Sequence, residues 1–159
     1  MWWSHRSFIL RVVGIDPGLN ITGYGVVEGD AGSARLIEAG YLKSDERDAM
    51  PVRIKAIYDD VLALFEEVKP EAVAIEELYV HYNHPRTAIV MGHMRGAIML
   101  AAAQCGVPVL SYPATMVKRS LTGNGHAAKS QMQRMIEAVL GLSKTPEPAD
   151  VADALAVAL

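Results

Sequence analysis

The sequence predicts a single α/β domain in which a mixed five-stranded sheet is flanked by helices. Three observations carry this. β-branched and aromatic runs come first, as a meander. Two short apolar runs, 72–76 and 107–112, then alternate with stretches of helical periodicity, as strands joined by helical crossovers do. Finally, no repeat, low-complexity tract or linker interrupts a chain of 159 residues that is 51% hydrophobic, enough for one core and too little for two ordinary domains.

The elements follow in order. Residues 8–16 (FILRVVGID) and 22–28 are strand-like and separated by the turn-rich PGLNI, so they read as a hairpin, and a third strand is expected over 34–43. From about Pro51 to Val68, Val52, Ile54, Ile57, Val61, Leu62, Leu64 and Phe65 recur at helical spacing, with Pro70 where a helix should stop. AVAIE, 72–76, is too short for a helix and reads as a buried parallel strand. A helix from about Pro85 to Gln104, stopped by Gly106, is apolar on nearly all sides, so one face should pack on the sheet and another on a partner subunit. Strand 107–112, helices near 114–121 and 127–140, and a last helix starting near Pro148 complete the set. Residues 1–7 are expected to be a flexible extension.

Composition narrows the function. Ser4, His5, Arg6 and Arg11 break the N-terminal apolar stretch, which argues against a secretory signal. The longest apolar run, Ala97–Cys105, falls far short of the roughly 18 residues a bilayer span requires. A lone cysteine, Cys105, excludes an internal disulfide framework, and a soluble cytoplasmic protein without membrane contact is expected. Net charge is −3, against non-specific coating of nucleic acid, yet 81–149 carries seven Lys and Arg against two acids. A polyanion would be met by one side only.

Four acids stand where elements should end or begin: Asp16 closes the first strand, Glu76 closes AVAIE, and Asp150 with Asp153 opens the last helix. Clustered carboxylates repel and are costly to desolvate, so a core gathering several calls for a cation. Each also has a plain structural reading. Asp16 in GIDPG fits an Asx-turn. Only one of Glu76 and Glu77 can face the side that Asp16 faces, because side chains alternate along a strand. Asp150 and Asp153 share a helix face and could hold one ion, or could simply complement the helix dipole.

Taken together, VVGIDPGLNITGYGVV, AVAIEELY, AKSQMQRMI and ADVADALAVAL, in this order and spacing from Leu10 onward, resemble the RuvC family of Holliday-junction resolvases, which have a ribonuclease H-like fold. The resemblance implies a homodimeric, magnesium-dependent endonuclease that cuts two opposed strands of four-way junction DNA symmetrically in recombination and repair. It implies catalytic, metal-binding roles for Asp16, Glu76, Asp150 and Asp153; some members carry a histidine at the third position. Two Mg2+ ions roughly 4 Å apart, for which Mn2+ could substitute, would activate water and stabilise the leaving oxygen. Lys118 and Lys129 match catalytically important, DNA-contacting lysines, each otherwise an ordinary surface lysine. Tyr79 stands where the family carries an aromatic that stacks on an unpaired base, in place of phenylalanine. A branch-migration motor complex is the partner the resemblance implies.

Weaker features are the loop Gly123, Asn124 and Gly125, either an amide cradle for phosphate or a tight turn, and the histidines His81, His84 and His93, which lack a third convergent ligand. Rival readings are an actin- or sugar-kinase-type ATPase, which needs two such domains, a silent junction-binding module, and a related nuclease acting on another nucleic acid.

Overall fold

The computed structural model describes residues 9–30, 33–78 and 85–159. The expected flexible extension therefore lies outside the described residues, as do Tyr79, His81 and His84. The elements are β1 (Leu10–Pro17), β2 (Ile21–Asp30), β3 (Ser33–Lys43), α1 (Met50–Val68), β4 (Ala72–Glu76), α2 (Pro85–Gln104), β5 (Val109–Tyr112), α3 (Ala114–Thr122), α4 (Lys129–Leu140) and α5 (Ala149–Ala158). The sheet runs β3-β2-β1-β4-β5; β1–β2 and β2–β3 pair antiparallel, whereas β1–β4 and β4–β5 pair parallel. The meander followed by crossovers is the mixed sheet anticipated.

The period of two sorts the sheet into two faces. Val13 and Ile15 of β1 and Val73 and Ile75 of β4 point to one side, where Ile57, Val61 and Phe65 of α1 and Met94 and Ile98 of α2 cover them. These side chains are almost wholly buried, which makes this the larger-side-chain core. Gly14 and Asp16 point to the other side, as do Ala74 and Glu76. Here α5 lies over the centre of the sheet, with Val117, Met132 and Ile136 from α3 and α4 beside it.

Glycine is what lets α5 so near. A Cβ on Gly23 would stand 2.0 Å from the Asp150 carbonyl oxygen, and one on Gly14 would stand 2.1 Å from that of Ala154. Both are far inside contact distance, and both neighbours are backbone. At these two points the helix rests on the main chain of β1 and β2, with Leu155 filling the space over Gly25 between them.

Candidate active site

The parallel register puts Ile15 opposite Ile75, so one residue on Asp16 and Glu76 leave adjacent strand ends on the same face. Glu77 alternates to the other side of the strand, and its amide bonds to the Tyr112 carbonyl. Helix α5, seated on Gly14 and Gly23, brings its first turn over these ends. Asp150 Oδ1 would lie 3.2 Å from a Cβ on Gly18, in the link that follows Asp16. Thus three segments far apart in sequence deliver four carboxyls to one end of the sheet.

The electrostatics register that convergence. Burial, followed by the charges of Asp153, Asp150 and Glu76, pushes the Asp16 carboxyl up to about 7, partly offset by Lys129. Burial and Asp153 also raise Glu76, while Lys118 draws it down. Asp16 is the hub, facing all three other acids; Asp153 is shared between Asp16 and Glu76. Among the described residues no three His, Cys, Asp or Glu side chains lie at ligating range of one point, so the acids face each other at electrostatic distance.

Both sequence-predicted lysines reach the same ground. Lys129, at the start of α4, donates to Asp153 Oδ2 at 3.3 Å. Lys118, on α3, acts on Glu76 through its charge. Each lysine thus offsets part of the charge of the acidic cluster.

Two arginines escaped sequence reasoning. Arg95 of α2 donates from Nη1 to the Glu76 carbonyl at 2.5 Å and from Nη2 to Ser111 Oγ at 2.6 Å, tying the end of β4 to β5 and α2. It lines, with Asp16, Glu76 and Met91, a cavity of about 210 Å³. Arg53 of α1 binds the link after Asp16. The only available signal was an arginine inside an apolar helical stripe, and Arg53 carries that signal because it falls between Met50 and Ile57 on the buried face of α1.

The loop after α3 takes its turn reading. Gly123 adopts φ 77°, the left-handed helix end at which its own amide bonds to the Arg119 carbonyl. The Asn124 amide bonds to Thr122 Oγ1 at 3.1 Å and the His126 amide to Asn124 Oδ1 at 2.9 Å, so those donors are already engaged. His93 lies exposed on α2, with no ligating cluster around it among the described residues.

Comparison with known proteins completes the picture. Residues 12–159 match the family model described as crossover junction endodeoxyribonuclease RuvC. The RuvC protein of Rhodopirellula baltica is 49% identical over 148 residues, covering 93% of this chain and 83% of that one. That of Moorella thermoacetica is 44% identical over 150 residues, covering 94% and 89%. Among solved structures, Thermus thermophilus RuvC in complex with a Holliday junction substrate superposes with a TM-score of 0.89 at 39% identity, covering 94% of this chain and 90% of that one. The yeast mitochondrial Holliday junction resolvase Ydc2, at 14% identity and a TM-score of 0.64, shares the fold. By family model, identity and superposition alike, this chain belongs to the RuvC family of crossover junction endodeoxyribonucleases.

Proposed function

We propose that the chain resolves four-way DNA junctions by metal-dependent phosphodiester hydrolysis, with Asp16, Glu76, Asp150 and Asp153 holding the metal. The observation that carries the reading is the convergence of four acids from three distant segments, with Asp16 raised to about 7 by burial and by its acidic neighbours. A carboxyl group so placed is poised to exchange its proton for a cation. The donor set suits magnesium, because oxygen ligands contributed by a few carboxylates, with the rest left to water and phosphate, match its preference. Two Mg2+ ions, when bound, would supply an activated water and stabilise the leaving oxygen.

The residues divide the work. Asp16, which faces the other three acids, would be the central metal ligand. Glu76 and Asp153 would supply further carboxylate oxygens. Asp150, beside the link after Asp16, would bind the ion that carries the attacking water or orient that water. Arg95 holds the main chain of Glu76 so that its carboxylate keeps one direction. Lys118 and Lys129 draw in the scissile phosphate and neutralise charge that develops on it. Tyr79 stacks on an unpaired base at the junction centre, an interaction worth roughly 1–3 kcal/mol.

Symmetric cutting requires two sites, and helix α2 supports a homodimer. Ile89 and Leu100 are 58% and 59% exposed, and a Cβ on Gly92 or Gly96 would meet nothing within 4 Å. That face is apolar and unhindered, as an isologous interface requires. The resemblance extends the reading to a branch-migration motor as partner and to the cytoplasm as its place. No helix among the described residues is long and apolar enough to cross a membrane.

The deciding experiment is cleavage of a synthetic four-way junction beside linear duplex and RNA:DNA hybrid, with magnesium and with EDTA. Paired symmetric nicks in the junction alone, and only with magnesium, are the expected result. Binding without cutting would reduce the protein to a junction-recognition module, and cutting of hybrid alone would reassign its substrate.

A further inference from the structure

Arg53 is 8% exposed, and among the described residues only Thr22 and Ser44 are other buried polar or charged side chains. A buried guanidinium is expensive, and usually a carboxylate offsets that cost. Here the hydrogen-bond partners are neutral: Arg53 Nε donates to Ser44 Oγ at 3.2 Å, and Nη2 donates to the Leu19 carbonyl and to Asn20 Oδ1, the latter at 3.0 Å. Leu19 and Asn20 are two of the three residues linking β1 to β2; the third, Gly18, is the one whose Cβ would stand 3.2 Å from Asp150 Oδ1. The Ser44 amide adds a bond to the Asn20 carbonyl at 3.4 Å, and Asn20 Nδ2 reaches Glu46 Oε2 at 3.1 Å. The link that carries Asp16 into the acidic centre is therefore held from behind, by a planar fork rooted in α1 on the opposite face of the sheet.

We propose that Arg53 is a positioning residue for metal binding, clamping the 18–20 link so that Asp16 and Asp150 keep their mutual spacing as ions enter and leave. A guanidinium suits this because several fixed donors orient the carbonyl and the amide together, which an ammonium cannot do. Its partners are neutral, so its charge is not spent on a ligand carboxylate.

This inference rests on the metal-site reading, and the test separates the two. Arg53→Lys, Asn20→Ala and Asp16→Asn would each be titrated with Mg2+ in the full chain, following thermal stabilisation without DNA and then junction cleavage. Arg53→Lys is expected to raise the Mg2+ half-saturation about tenfold in both measurements, as loss of a residue supporting metal ligands does. Asn20→Ala, which removes the acceptor of Arg53 and the exposed donor to Glu46 and leaves the core intact, is expected to raise it about threefold, on the scale of one net hydrogen bond. Junction affinity in EDTA should not change for either. Wild-type half-saturation in both variants, with stability alone reduced, overturns the clamp and leaves Arg53 as scaffold. If Arg53→Lys does not fold, Asn20→Ala decides by itself. Stabilisation by Mg2+ that survives Asp16→Asn overturns the metal site instead.

Discussion

The two faces of the sheet are built on opposite principles. On the α1 and α2 side, large side chains interdigitate: Phe65, Ile57, Met94 and Ile98 fill the space between sheet and helices, and slack in one is taken up by rotamers of the others. On the α5 side, Gly14 and Gly23 remove the side-chain layer, and backbone meets backbone. The first arrangement supplies stability and tolerates adjustment. The second has no side-chain slack at Gly14 and Gly23, and the acids are borne beside those contacts. Precision and stability are thus assigned to different faces of one sheet.

The sharpest way to probe this contrast is at the hub of the acids. Asp16→Asn should reduce junction cleavage at least about a thousandfold, the upper end for loss of one electrostatic stabiliser. It should also stabilise the metal-free protein. Asp16 titrates at about 7 in the fold against 3.8 for an unperturbed aspartate, so the folded state binds more protons than the unfolded one. Stability therefore falls as pH rises between those values and regains nothing above them. Melting curves in EDTA at mildly acidic and mildly alkaline pH should show that fall in the wild type and much less of it in Asp16→Asn. Equal slopes would mean that the Asp16 carboxyl is neither buried nor crowded by acids as placed.

Gly23→Ala comes next. It must push α5 away from β2, carrying Asp150 and Asp153 out of register; displacements of this order cost about a hundredfold in rate. Cleavage should drop by that amount while secondary structure by circular dichroism is retained. A variant that cuts normally would show that α5 can ride up without consequence, and the contrast between the faces would fail.

Lys129→Met removes the cation bonded to Asp153 and should slow cleavage roughly ten- to a hundredfold. Its effect should shrink as magnesium is raised, since one role of the lysine is to hold charges the metal also holds. Finally, Phe65→Ala, on the larger-side-chain face, should lower unfolding free energy by about 3–5 kcal/mol in urea titrations while leaving cleavage per folded molecule unchanged. Loss of activity well below its melting point would show that the two faces are not separable.

What the sequence disclosed follows the same division. Strand β4 was legible to the residue because AVAIE is short, apolar and bounded by Pro70 and a polar loop, but alternation alone left Glu76 and Glu77 open, and position with the resemblance favoured Glu76. The four acids stood out because each marks an element boundary, yet each alone also fitted a turn or a cap, and it was their combination with the resemblance that grouped them. Gly14 and Gly23 did not stand out, because a glycine within a strand looks like a weak point until the helix it admits is known, and that helix lies more than a hundred residues further along. Arg53 and Arg95 were hidden for a related reason. Each bonds one main-chain carbonyl, which every residue possesses, and otherwise only small neutral side chains, so no charge pairing in the sequence announces the contact. Tyr79, placed by resemblance, falls outside the described residues.

The seating of α5 on glycine has a temporal consequence. A ribosome delivers Asp16 and Glu76 early and Asp150 and Asp153 much later, so a nascent chain that has reached α4 presents a sheet with a bare glycine track and only half its acids. If the four acids hold the metal as proposed, such a chain lacks half of its ligands. The final helix is then both the keystone of one face and the step that completes the acidic cluster.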